Sequence, residues 1–182
     1  MLQLVFACSP TRNVKGETEY AFGLDDGLPW KHISQDFKNF KSRTMGTTLI
    51  MGAKTFQSLP GKLEGRKHMV LHTPGRSVAV TKRGDQADQY VMPERVKDYI
   101  KFHPEENFSV IGGAKLLQEF APIADKIIIS KIIKSHYVNS TVKLPIEFIM
   151  NIHRGGNKEL KMQENHFWQI DELTQLFETV YA

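Results

Sequence analysis

Leu49-Ile50-Met51-Gly52-Ala53-Lys54-Thr55 reads as a short buried strand that leaves its sheet through a glycine and enters a helix at once. The same order of residue types returns at Ser109-Val110-Ile111-Gly112-Gly113-Ala114-Lys115. A third apolar run, Ile127-Ile128-Ile129, has no polar alternation, which suits a strand covered on both faces. Such runs alternating with helical patterns point to an α/β fold, with a mostly parallel central sheet flanked by helices on both faces.

Working outward, strands are expected at Leu2 to Cys8, Thr47 to Met51, Lys67 to His72, Ser77 to Thr81, Phe108 to Ile111 and Lys126 to Ile133. Helices are expected at Ser34 to Thr44, Ala53 to Leu59, Pro93 to Phe102 and Ala114 to Phe120. No helix is expected after Ile133. The tail instead offers His166-Phe167-Trp168-Gln169-Ile170 and Leu176-Phe177-Glu178-Thr179-Val180-Tyr181, a C-terminal antiparallel hairpin closing one sheet edge. Arg154-Gly155-Gly156-Asn157-Lys158 reads as an exposed loop. With no repeat, low-complexity tract or long linker, residues 1–182 are expected to form one domain.

The chain has 41% hydrophobic and 24% charged residues, an ordinary globular composition. Its single cysteine, Cys8, rules out an internal disulfide, and the seven histidines lack partners at metal-ligand spacing. A reducing cytoplasm and a soluble protein are the expectation. The first residues lack a basic leader and a secretory apolar core, and no run approaches the roughly 20 apolar residues that span a bilayer. The net charge of +4 is spread along the chain rather than gathered into a basic arm, so nucleic acid is not the expected partner. Small anionic ligands account for it equally well.

A helix N-terminus presents free N–H groups, and a glycine before it lets phosphate oxygens approach the backbone. The turns at Gly52 and Gly112-Gly113 therefore serve either chain geometry alone or a phosphate-bearing ligand. Neither G-x-G-x-x-G nor the P-loop pattern is present. A second kind of site is written in Gly27-Leu28-Pro29-Trp30, followed by Asp36 in the first turn of a helix. An acid there either complements the helix dipole in solvent or, beside a Trp and a rigid Pro, sits in a partly dry pocket. In the pocket it can make paired hydrogen bonds to an amino-heterocycle. Phe37 and Phe40 either line that groove or pack the core, and Arg66 before its strand is able to hold a carboxylate.

Together these stretches resemble the dihydrofolate reductase family over nearly the whole chain. Five motifs occur in the family's order: Phe22-Gly23 through Trp30; Asp36 with Phe37 and Phe40; Ile50 through Pro60; Leu63-Glu64-Gly65-Arg66-Lys67; and Val110-Ile111-Gly112-Gly113. The wording of Gly52 to Pro60 and Val138 to Val142 looks closest to the enzymes of T-even-type bacteriophages, which implies a host bacterial cytoplasm. The resemblance implies NADPH-dependent reduction of dihydrofolate, in the service of thymidylate and nucleotide synthesis, and an antifolate target. It implies Asp36, Trp30 and Leu28 as the catalytic set. Asp36 would bind the pterin, supported by Ser130. Val5, Phe6, Phe37, Phe40, Leu59 and Ile111 would wall the substrate, and Arg66 would clamp the glutamate carboxylate. For NADPH it implies Ala7, Phe22, Gly23, Thr55, Ile111, the cis-linked pair Gly112 and Gly113, Ala114 and Leu117. Lys54, His72, Thr73 and Arg76 fall nearest the adenosine phosphates.

Some positions depart from the family pattern. Ala53 stands where many members carry a basic residue, Ala114 replaces a frequent glycine and Leu117 a frequent Tyr, so selectivity over NADH falls to Lys54 and Arg76. Lys62, Arg66 and Lys67 lie where a polyglutamate tail would leave. No direct acid for pterin N5 stands in these motifs, which leaves water as the proton carrier. The rival readings are a pyrimidine reductase of riboflavin synthesis, disfavoured by Asp36 and Arg66, and a virion component that keeps the fold. Oligomeric state, monomer or homodimer, is left open.

Overall fold

Leu4, Phe6 and Cys8 are buried on one face of β1 (Leu2–Arg12) and Val5 on the other, so this strand lies in the middle of the sheet. The structure is a computed structural model describing the backbone of residues 1–182 and every side chain except that of Asn157. On one side of β1 come β6 (Phe108–Gly112), β3 (Thr48–Met51), β4 (Lys67–Leu71) and β5 (Gln89–Val91), all parallel. On the other side β7 (Lys126–Lys134) is parallel to β1, and β10 (Thr174–Tyr181) and β9 (Met162–Asp171) continue antiparallel. The far half of β1 pairs with β2 (Thr18–Gly23), which in turn pairs with β8 (Val142–Leu144).

Helices cover both faces, as the uninterrupted apolar strands require. On the Val5 side, α1 (Ser34–Thr44) sets Phe40 against Val5, Ile128 and Val180. On the same side α2 (Ala53–Ser58) buries Phe56 among Leu49, Met51 and Val70. The Leu4 face holds the larger core, into which α3 (Val96–Phe102), α4 (Ala114–Phe120) and α5 (Ile146–His153) send Val96, Leu116, Leu117, Phe120, Ile149 and Ile152. No helix among the described residues is long and apolar enough to cross a membrane.

The fold class and the C-terminal hairpin stand as expected, while several elements differ. Ser77 to Thr81 forms no strand: only an isolated bridge joins Val80 to Gln86. The backbone there is taken by a turn, with Thr81 N–H donating to Asp85 O and Gly84 N–H to Thr81 O. Tyr90 Oη also donates to Ala79 O at 2.6 Å and so claims a carbonyl a ladder would need. The strand of this region is β5 instead. A helix does follow Ile133: α5 starts after Pro145, whose fixed φ suits a helix start, and buries Ile149 and Ile152 on one face. Arg154 to Lys158 is a helix end followed by a 3-10 turn, Gly156–Lys158, with Gly155 buried at φ 96°.

Candidate functional site

The sheet brings the two glycine turns to one edge. Met51 is in register with both Val70 of β4 and Gly112 of β6, so three parallel strands end together there. Gly52 N–H donates to Gly112 O at 2.9 Å, and the Gly112–Gly113 peptide is cis. Gly112 has φ +142°, and a Cβ added to it would come within 3.4 Å of Phe22 Cζ and 3.5 Å of Thr55 Oγ1. Phe22, Thr55, Gly112 and Gly113 therefore converge, as their sequence positions alone do not show. A Cβ on Gly23 would meet Val142 Cβ at 3.4 Å, which ties the same corner to β8.

Around this edge Lys54, Thr73 and Arg76 are exposed, His72 and Ala114 are half-buried, and His72 meets Tyr90 edge-on with ring centroids 6.1 Å apart. Ile111 is half-buried beside the Phe56 cluster. Leu117 is the exception: it is wholly buried in the core and offers its side chain to packing rather than to an open cleft.

Asp36 occupies the neighbouring half. It is the third residue of α1, 8% exposed, and no ion pair reaches it among the described residues. Burial pushes its carboxyl up from the ordinary value, the Ser130 hydroxyl pulls the other way, and Glu178 pushes it up further. Ser130 itself is buried in β7, in register with Ala7 of β1. A carboxylate in this setting is a strong acceptor for a cationic or N–H-rich heterocycle, because little water competes for it.

The walls differ in how firmly they are held. Trp30 is buried among Ala21, Ile33, Ile132, Val138 and Leu176, with Ala7 packed alongside, and its Nε1–H finds no acceptor among the described residues. A depression of about 720 Å³ lies beside Trp30, lined partly by Lys31, Lys134, His136 and Asp171, and does not include Asp36. By contrast Leu28 is 43% and Phe37 46% exposed, with Phe37 stacked at a tilt on His32 at 4.4 Å. Val5 and Phe6 are buried in β1 on opposite faces, so Phe6, packed near Phe148, faces away from α1.

At the far end, Leu59 is half-buried against the Phe56 cluster and Arg66 lies 6.0 Å from the centre of the Phe40 ring. Arg66 Nη1 donates to Thr44 Oγ1 at 3.2 Å and Nε to Glu64 O at 3.0 Å, leaving donors of its fork for a ligand. Its loop is pinned from below by His68, a fully buried imidazole between Leu63 and Asp88.

The sheet thus carries a buried acid on α1, a glycine-lined strand edge and a guanidinium beside Phe40. A family model described as dihydrofolate reductase matches residues 14–166. The chain belongs to the dihydrofolate reductase family. It is an enzyme of that type. It is 30% identical over 157 residues to dihydrofolate reductase type 8 of Escherichia coli, covering 84% of this chain and 90% of that protein. It is 35% identical over 135 residues to the dihydrofolate reductase of Bacillus subtilis (strain 168), covering 72% and 69%. Its fold is like that of a dihydrofolate reductase from Enterococcus faecalis complexed with NADP(H) and RAB-propyl. That likeness has a TM-score of 0.70 at 19% identity, with 100% of this chain and 95% of that one covered.

Sequence reasoning on this family member missed Glu178, Arg43, Thr44 and His68. Each acts through a partner distant in the chain: Arg43 with Glu178 is 135 residues apart. The available signal for Glu178 was an acid alternating with the apolar Leu176 and Val180 on one face of its strand.

Proposed function

We propose that the chain uses NADPH to reduce 7,8-dihydrofolate to 5,6,7,8-tetrahydrofolate, feeding thymidylate and nucleotide synthesis, with residues 1–182 acting as one domain. The observation that carries this is Asp36: a buried carboxyl acted on by the Ser130 hydroxyl, which no ion pair reaches among the described residues. A pterin ring N–H and amino group supply what it lacks.

The glycine-lined edge fits a dinucleotide, since Gly112, at φ +142° in a conformation that side chains rarely adopt, presents bare backbone beside Phe22 and Thr55. When bound, NADPH supplies the hydride that reaches pterin C6. The rest falls to the chain. Ala7 meets the nicotinamide carboxamide with its backbone, Gly23, Gly113, Ala114 and Ile111 line the same ligand, and Lys54, His72, Thr73 and Arg76 hold the phosphates. Phe37, Phe40, Leu59, Val5 and Ile111 confine the substrate, and Arg66 takes the glutamate carboxylate through its free donors. Leu117 and Phe6 contribute to this arrangement by packing behind it.

Asp36 holds the pterin and favours its protonated form, while Leu28 and Trp30 restrict water to the molecule that delivers a proton to N5. Lys62 and Lys67, exposed near Arg66, suit a polyglutamylated substrate. The phage-type reading rests on the wording of Gly52 to Pro60 and Val138 to Val142, since the relatives named above are bacterial. A host cytoplasm and a virion association belong to that reading.

The test is the loss of NADPH absorbance on adding dihydrofolate, with and without a diaminopyrimidine or pteridine antifolate. Antifolate-sensitive oxidation is expected, slower with NADH. No dihydrofolate-dependent oxidation would overturn the proposal.

A further inference from the structure

The sheet face under α1 carries a polar row between two apolar clusters, and beneath the end of α1 Gln3 Nε2 donates to Arg43 O at 2.7 Å. On β7 the residues facing α1 run Ile128, Ser130, Ile132, and on β10 Val180, Glu178, Leu176, each pair in register. Val5, Ile128 and Val180 form one apolar cluster with Phe40, whereas Ile132 and Leu176 form another with Trp30 and Ile33. Ala7, Ser130 and Glu178 cross between these clusters as a register row. Asp36 lies on α1 between Ile33 and Phe40, and so stands over that row.

Glu178 is 3% exposed, and a buried carboxylate needs donors. They come from α1 itself: Arg43 Nη2 and Nε donate to Glu178 Oε1 at 2.7 and 3.2 Å. The same Nη2 lies 2.7 Å from Glu164 Oε2, on the neighbouring strand, where His166 Nε2 is 3.1 Å from that oxygen. Arg43 holds Glu164 down to about 2, so Glu164 is ionised throughout the working range. One guanidinium thus stands between two carboxylates, and the pair beneath the pocket keeps a negative balance. On this face of β7 the Ser130 hydroxyl lies between Lys126 and Lys134 at the strand's two ends, and Lys134 is turned to β10, its Nζ donating to Thr174 Oγ1 at 2.7 Å. Lys131 points to the opposite face, with its Nζ 2.8 Å from His153 Nε2. Like-signed charges act strongly on one another where water is thin, and Glu178 pushes the Asp36 carboxyl up.

We propose that Glu178, clamped by Arg43, is a positioning residue for the reduction: a second fixed negative charge behind Ser130 that acts through Asp36 to favour the protonated pterin. This rests on the reductase reading. Glu178 touches no reacting atom, and its effect is on the proton balance of the pocket rather than on affinity for the reductant.

The experiment is single-turnover hydride transfer from saturating NADPH to dihydrofolate, followed across pH, in wild type, Glu178→Gln, Arg43→Met and Arg43→Lys. With Glu178→Gln the midpoint of the profile is expected to move to lower pH, with the neutral rate down about threefold or more and the acid-limb rate kept. Arg43→Met, which leaves Glu178 uncompensated, moves the midpoint to higher pH, and Arg43→Lys keeps the wild-type profile. A profile that is unmoved in Glu178→Gln, or lowered by one factor at every pH, overturns the proposal. If Glu178→Gln does not fold, an unmoved midpoint in Arg43→Met does so. An inactive wild type would instead remove the reductase reading itself.

Discussion

The Leu63 backbone N–H donates to the Nε2 atom of His68 at 3.0 Å, which fixes the proton of that imidazole on Nδ1, toward Asp88. Asp88 Oδ2 also accepts the His68 N–H at 2.7 Å and its other oxygen pairs with Lys62. A buried neutral imidazole thus staples the loop that ends in Arg66.

Burial holds the His68 pKa below its ordinary value, with Asp88 opposing. The unfolded chain therefore binds more protons than the fold as pH falls below the usual histidine value, and stability is lost in that direction. Melting temperature should drop from about pH 7 toward pH 5, and the slope should flatten in His68→Gln. An equal slope in both proteins would assign the effect to other groups.

Gly65 has φ +73°, and a Cβ on it would lie 2.4 Å from Met45 Sδ. Its carbonyl accepts from Gly46 N–H at 2.9 Å, so the position cannot slide away. Gly65→Ala should cost about 1–2 kcal/mol in chemical denaturation, and adding Met45→Ala should recover only the steric share. Full recovery in the double variant would show that the left-handed backbone carries no strain there.

Asp36→Asn separates function from stability. The folded Asp36 pKa is raised, so the fold binds more protons than the unfolded chain and loses stability as pH rises through that carboxyl's range. At neutral pH the Asn variant should melt higher than wild type while hydride transfer falls roughly 100-fold or more, with partial recovery in acid. Calorimetry and single-turnover kinetics check the two halves separately.

Arg66→Leu should weaken dihydrofolate binding by about 10- to 100-fold, the worth of charge-assisted hydrogen bonds, and leave NADPH nearly untouched. Fluorescence titration of each ligand reads the split. Equal losses would mean that the Thr44 contact, rather than the ligand, is what Arg66 serves.

The parts of this fold legible in the sequence are those whose signal is local. The span Ser34–Thr44 and the strand exits at Gly52 and Gly112 are set by residues within a turn or two, and the structure keeps them. β2 escaped notice because its burial is partial and its residues mixed, and β5 because three residues carry no period. In α5 the run Ile146-Glu147-Phe148-Ile149-Met150 is apolar enough to suit strand or helix, and only Pro145 pointed to the second. The pocket's charge balance was illegible for another reason. Asp36, Ser130, Glu178 and Arg43 meet only through strand register, which no spacing within one segment encodes.

That register has a consequence for how the protein is made. β1 is the sheet's centre, yet its partners β6 and β7 and the strand beyond, β10, come more than a hundred residues later. During synthesis the acid's helix leaves the ribosome early, while the floor beneath it arrives only with Glu178. No truncated or nascent species lacking β10 holds a finished pocket, so ligand occupancy can reward only the completed fold. Antifolates and dihydrofolate should rescue destabilised full-length variants, and leave chains shortened before β10 to proteolysis.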